Sequence, residues 1–173
     1  MNRPIKILID GYNLLFQSNL MGKGRGPSWL LKARRRLAST LQQNLSTEEL
    51  SATHIVFDAH TKHAPEDAAA YPSGPHFLFA LEHPEADDLL EELIRSHAHP
   101  KTLLVVSSDN RVLRCAKARK CRTMRSAEYL AYLESPQRSQ ADNQVEANEE
   151  RAEQSVSDQE VSYWMQEFDL EDE

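Results

Sequence analysis

Apolar and polar positions alternate along this chain in blocks that read as strands and helices in turn. Ile5–Ile9 is a short, almost continuous apolar run, the signature of a strand buried on both faces. His54–Phe57, His76–Leu81 and Thr102–Val106 repeat it, and Arg122–Met124 is a shorter example. Between them the period changes to that of a helix. From Ser28 to about Asn44, Leu30, Ala33, Leu37 and Leu41 form one stripe that continues to Leu45, with Ser28 as its cap. Pro84 opens a helix that buries Ala86, Leu89, Leu90, Leu93 and Ile94, and further helices are predicted over Asn110–Lys120 and Ala127–Glu134. The Gly-rich, basic segment Met21–Pro27 reads as a loop, and the segment Ala59–Pro75 as a loop or broken helix. Regular alternation of strand and helix predicts an α/β fold, a three-layer sandwich whose central sheet is mainly parallel. Strand order is not readable from the pattern.

Beyond Glu134 the pattern stops. Residues 135–157 are dominated by Gln, Asn, Ser, Glu and Ala, too polar to offset chain entropy by burial, and read as a disordered acidic linker. Residues 158–173 differ. Ser157-Asp158-Gln159-Glu160 is a capping-box pattern, and Val161, Trp164, Met165 and Phe168 follow at helical spacing. This predicts a short amphipathic helix that docks on its own domain or on a protein partner. The expected organisation is a domain over 1–134, the linker, and this C-terminal helix with its acidic end.

Charge follows the same division. The net charge is -7, but residues 135–173 hold 12 acids and 2 bases, which leaves 15 acids and 18 bases in residues 1–134. A mildly basic body is compatible with a nucleic-acid partner and equally with an ordinary mixed surface. No apolar run approaches membrane-spanning length and no signal-peptide pattern opens the chain, so a cytoplasmic protein without a membrane partner is expected. Cys115 and Cys121 are too few for a disulfide framework and take no role. The histidines lack zinc-site spacing.

The candidate chemistry lies at the strand ends. Asp10 follows the first strand directly within Asp10-Gly11-Tyr12-Asn13, Asp58 closes the second, Asp87 opens a helix after the third, and Asp109 follows the fourth. The crevice beyond the carboxyl ends of parallel strands is where such sheets bind ligands. Like charges 4 Å apart repel by about 4 kcal/mol at an effective dielectric of 20, so clustered carboxylates call for a cation. Oxygen donors suit Mg2+ or Mn2+, and phosphodiester hydrolysis profits from such ions. Helical phase favours Asp87 over Asp88, which shares with Glu85 the alternative of a solvated first-turn acid. Asp109 alone reads equally as a helix cap, and Asn13 as a turn residue. Ser107 and Asn110 offer polar groups to a phosphate. Arg34 falls in phase with the apolar stripe of its helix and is expected to reach the acidic pocket or a bound phosphate. Lys23 and Arg25 on the Gly-rich loop, with Lys62 after Asp58, are candidates to steer a nucleic-acid backbone, against the default of solvated charges.

Asp10-Gly11-Tyr12-Asn13, Phe57-Asp58-Ala59-His60, Glu85-Ala86-Asp87-Asp88 and Ser107-Ser108-Asp109 together resemble the YacP-like branch of the NYN domain family. The resemblance runs over about residues 5–133, through Ala33-Arg34 and Ser126–Leu130, and more loosely to the Trp164–Phe168 segment. It implies a PIN-like nuclease with a Rossmann-like sandwich, Asp10, Asp87 and Asp109 holding Mg2+ or Mn2+, and Asn13 beside them. It further implies endoribonuclease activity on mRNA at the ribosome. The chain departs from the branch in its longer acidic linker and in Asp88, where the branch often has Glu. A non-catalytic RNA or ribosome adaptor is the competing reading. An aspartyl-phosphate enzyme is a third, although Asp10-Gly11-Tyr12 lacks the second Asp such phosphatases commonly carry.

Overall fold

A computed structural model describes residues 5–24, 27–59 and 64–135. Five strands form one parallel sheet: β1 (Ile7–Asp10), β2 (Thr53–Asp58), β3 (His76–Ala80), β4 (Leu104–Val106) and β5 (Arg122–Met124). Their order is β3-β2-β1-β4-β5, every neighbouring pair parallel. The chain winds outward from β1 to β3, then returns to the other side of β1 with β4. The boundary between β1 and β4 is therefore the switch point of the sheet, where crossovers leave in opposite directions and a crevice opens. These elements belong to one unit, Met1–Glu134.

Side chains alternate across the sheet with period two. Ile7 and Ile9, with Ile55, Phe57, Phe77 and Phe79, face a layer made by α1 (Gly11–Gln17), α2 (Pro27–Asn44) and α6 (Ser126–Leu133). Leu8, Val56 and Val105 face the opposite layer, α4 (Ala86–Ser96) and α5 (Asn110–Ala118). Both layers are apolar, with Leu14, Leu37 and Leu41 fully buried on one side and Leu90, Ile94 and Val112 on the other. The three-layer α/β sandwich expected from the sequence is the observed architecture.

Several elements differ locally from the periodic reading. Gly11–Gln17 is a helix, yet at two turns it is too short to display a 3.6-residue period. The five-residue α3 (Thr47–Ser51) is likewise set by a local signal, a capping box between Ser46 and Glu49. The helix expected from Pro84 begins at Ala86, and Pro100–Thr102 is a 3-10 turn that delays β4 to Leu104. Within Ala59–Pro75, Glu66–Ala69 forms another 3-10 turn. The linker and C-terminal helix expected over 135–157 and 158–173 lie, Ser135 apart, outside the described residues. No helix among the described residues is long and apolar enough to cross a membrane.

Candidate active site

Asp10 ends β1 at the switch point and caps α1. It is 6% exposed. One carboxylate oxygen accepts the Asn13 amide N–H at 3.2 Å, and the other accepts the Ser107 hydroxyl at 2.8 Å. Strand register explains the second contact. Ile9 pairs with Val106, so Ser107, the residue after β4, arrives beside Asp10. Ser107 is fully buried and its hydroxyl also accepts the Asp109 amide N–H at 3.0 Å. One hydroxyl thus joins the turns that carry the two acids.

Asp109 caps α5, accepting the Arg111 amide N–H at 2.6 Å. Asp58, at the end of β2, accepts the Ala86 amide N–H at 2.6 Å and so caps α4 from outside, where the local cap residue Glu85 makes no side-chain capping bond. Asp87 stands in the first turn of α4, half-buried. Three helix N-termini, those of α1, α4 and α5, converge on the carboxylates, and their partial positive charge offsets part of the repulsion.

The residual repulsion appears in the protonation equilibria. Burial pushes the Asp10 carboxyl up to about 6, opposed by its bonds to Ser107 and Asn13 and reinforced by the charges of Asp87 and Asp109. Asp87 is also raised, first by burial and then by Asp109, with Arg111 acting the other way. Asp10, Asp87 and Asp109 therefore share one field, and Asp58 contributes to it at Asp87. Among the described residues no three His, Cys, Asp or Glu side chains form a ready-made metal cage.

Asn13 holds the scaffold of the site. Its side-chain oxygen accepts the Ser108 amide N–H at 3.0 Å and the Ser126 hydroxyl at 2.8 Å, tying α1 to the β4–α5 turn and to the start of α6. Ser126 returns the link through its own N–H to the Ser108 hydroxyl at 3.2 Å. Ser107, expected to meet RNA, is instead enclosed within the same scaffold because its hydroxyl is consumed by Asp10 and Asp109. Asn110 is exposed at the start of α5.

One basic residue, Arg34, lies elsewhere than expected. Arg34, expected at the acidic pocket or a phosphate, is 5% exposed and forms a two-pronged pair with Asp67, at 2.7 and 2.9 Å. Its guanidinium lies over Phe57 and Phe79 and donates to the Tyr12 hydroxyl at 3.3 Å. A buried cation takes the nearest buried carboxylate, and Asp67 supplies one at 2% exposure. Asp88 pairs with Arg111 across the α4–α5 seam, which holds its carboxyl below the usual range and turns it from the pocket. Lys23 is exposed beside Gly22, while Arg25 and Lys62 lie outside the described residues.

Sequence reasoning missed Arg125. Its guanidinium donates to the Ser108 carbonyl at 3.4 Å and to the Asn110 side-chain oxygen at 3.5 Å, which sets a cation at the rim of the acidic pocket. The available signal was its position at the end of the short strand β5, on the same side of the sheet as the acids. Ser108 and Ser126 were missed as scaffold residues because their pairing with Asn13 spans 95 and 113 positions.

Comparison with known proteins bears on this arrangement. The sequence pattern described as the YacP-like NYN domain matches residues 7–169. The crystal structure of Rae1 (YacP) from Bacillus subtilis is similar at a TM-score of 0.56 and 20% identity, covering 98% of this chain and 97% of that chain. Its W164L mutant is similar at a TM-score of 0.54 and 19% identity, covering 90% and 85%. Likenesses at these identities show a shared fold. No curated protein matches.

Proposed function

The chain belongs to the YacP-like NYN domain family, a nuclease-type family with a PIN-like fold, and from that premise we propose that it is a metal-dependent endoribonuclease hydrolysing RNA phosphodiesters. The observation that carries this reading is Asp10: a carboxylate buried at the switch point of a parallel sheet, raised by burial, with the charges of Asp87 and Asp109 bearing on it.

A divalent cation fits that environment, because it would reverse the mutual repulsion of the acids. The donor set is all carboxylate oxygen, which suits Mg2+ or Mn2+. Asp10, Asp87 and Asp109 would hold it, with Asp58 adding to the negative field. When bound, such an ion supplies Lewis-acid polarisation and lowers the pKa of coordinated water.

The rest is done by the protein. Asn13 and Ser107 hold Asp10 and the Asp109 turn in fixed relation, so the carboxylates need little rearrangement. Arg125 offers a guanidinium to a phosphate oxygen at the rim, and Asn110 stands beside it. Lys23, Arg25 and Lys62 would steer the RNA backbone. The family resemblance supports mRNA on the cytoplasmic ribosome as the substrate to try first.

Metal removal tests this reading. RNA cleavage by the purified protein should require Mn2+ or Mg2+, stop in EDTA and return when the ion is restored; cleavage that persists in EDTA would refute it. A second reading, an RNA or ribosome adaptor that cuts nothing, draws on the engagement of both Asp10 oxygens by Ser107 and Asn13. It predicts salt-dependent RNA binding with no Mn2+ uptake in calorimetry.

A further inference from the structure

From Asp109 to Glu128 the chain carries seven cations and no acid between them. All seven are exposed. On α5, Val112, Leu113 and Ala116 are buried, which leaves Arg111, Arg114 and Lys117 on the outer face over about 9 Å of helix. The helix ends at Ala118, and Arg119 and Lys120 follow. Lys120 adopts a left-handed φ of 62°, a conformation that ends the helix and turns the chain toward β5, the edge strand of the sheet. Arg122 projects from that edge, and Arg125 follows at the rim of the acidic pocket. The cations thus form a strip that starts beside Asp109, descends α5 and returns along β5 to the pocket.

Their partners distinguish this strip from an ordinary solvated face. Of these seven, only Arg111 has a carboxylate within 4.0 Å among the described residues, and it braces α5 against α4 through Asp88, Glu91 and Glu85. Arg114 and Arg119 donate to main-chain carbonyls, of Asn110 at 3.2 Å and His97 at 3.1 Å. An open groove of about 380 Å³ lies between the two helices, with Arg95, Arg111, Arg114 and Arg119 along its walls and Glu91 among them.

We propose that this strip is a track for the RNA backbone, distinct from the acidic pocket and leading into it, so that the protein holds a stretch of RNA beside the bond it cuts. The identity of the polyanion rests on the nuclease reading above. Exposed cations without carboxylate partners release counterions when they meet phosphates. An acidic protein fits less well, because a specific protein interface needs an apolar or aromatic core. The only apolar residue exposed along this strip is Ala118.

The test uses the full chain with Lys117→Gln, Lys120→Gln and Arg122→Gln, none of which touches the acidic pocket. Binding to a labelled RNA of about 20 nucleotides is measured in EDTA over a range of salt, beside cleavage of an RNA of about 5 nucleotides with Mn2+. Neutralising three cations should reduce the magnitude of the log K against log salt slope by about 2, at ~0.7 per single-strand phosphate. Affinity for the longer RNA should fall at least tenfold at low salt. Cleavage of the short RNA and the thermal midpoint should not change. An unchanged slope would overturn the proposal, as would an equal loss on the short RNA or the absence of binding by the parent protein. Strip-dependent binding by a parent protein that cuts nothing would retain the track and remove the nuclease reading. Cleavage with an unchanged slope would do the reverse.

Discussion

Arg34 lies in the core with its guanidinium over two phenylalanine rings and both prongs on Asp67. Removing one partner leaves the other charge buried alone, so Arg34→Met should cost about 3–5 kcal/mol. Adding Asp67→Leu should recover most of that loss in urea unfolding, since a buried pair replaced by apolar groups is often close to neutral. Helical phase in the sequence shows that Arg34 needs a partner. It cannot show which, because Asp67 lies 33 positions away in a segment without periodicity. Asn13 poses the same problem. Its residue type marks it for the site, but its bonds to Ser108 and Ser126 depend on how the helices meet the sheet. Asn13→Ala leaves the Ser108 N–H without its acceptor and should cost about 1–3 kcal/mol. If Asn13 positions the acids rather than binding the ion, kcat falls while Mn2+ affinity in calorimetry stays within about twofold; loss of Mn2+ binding would make it a ligand.

At the scale of elements, the joint between β1 and α1 is the tightest in the site. A Cβ on Gly11 would sit 2.3 Å from the Phe57 ring, which is fully buried and cannot swing away. Gly11→Ala should therefore cost roughly 1–3 kcal/mol by overpacking, and Phe57→Leu in the same chain should return part of it. The pairing of β2 with β3 has its own liability. His54 lies opposite His76, ring centroids 4.9 Å apart, and burial together with the charge of His76 lowers the His54 pKa to about 4. Unfolded, it would titrate near 6.5. The unfolded chain therefore binds the extra proton first, and stability that is complete above pH 6.5 is lost as pH falls toward 4, on the order of 1–2 kcal/mol after solvent screening. His54→Phe should flatten that limb of the pH-stability curve; an unchanged slope would contradict the assignment. The strands and the longer helices are legible because burial of a whole face imposes a period. Short helices and 3-10 turns are set by caps and packing, which leave no period to read.

At the scale of the whole fold, the five strands meet the helices so that every acid of the candidate site lies at the carboxyl end of the sheet. That much follows from apolar runs ending in Asp10 and Asp58, and from Asp87 and Asp109 at helix starts. The order β3-β2-β1-β4-β5 does not follow, because it is fixed by crossovers and by contacts across the sheet rather than by any local pattern. Yet that order puts Asp10 at the switch point and Asp109 next to it. Substituting Asp10 separates chemistry from architecture. An Asn at this position can still accept the Asn13 amide and meet the Ser107 hydroxyl, while it removes the charge that Asp87 and Asp109 oppose. The decisive measurement is cleavage of mRNA, free and on ribosomes, by the parent protein and by Asp10→Asn in Mn2+, with thermal unfolding of both in EDTA. Asp10→Asn should lose cleavage by at least a hundredfold while unfolding at the same or a higher temperature. Cleavage equal to that of the parent would contradict the assignment of this carboxylate as the centre of the site.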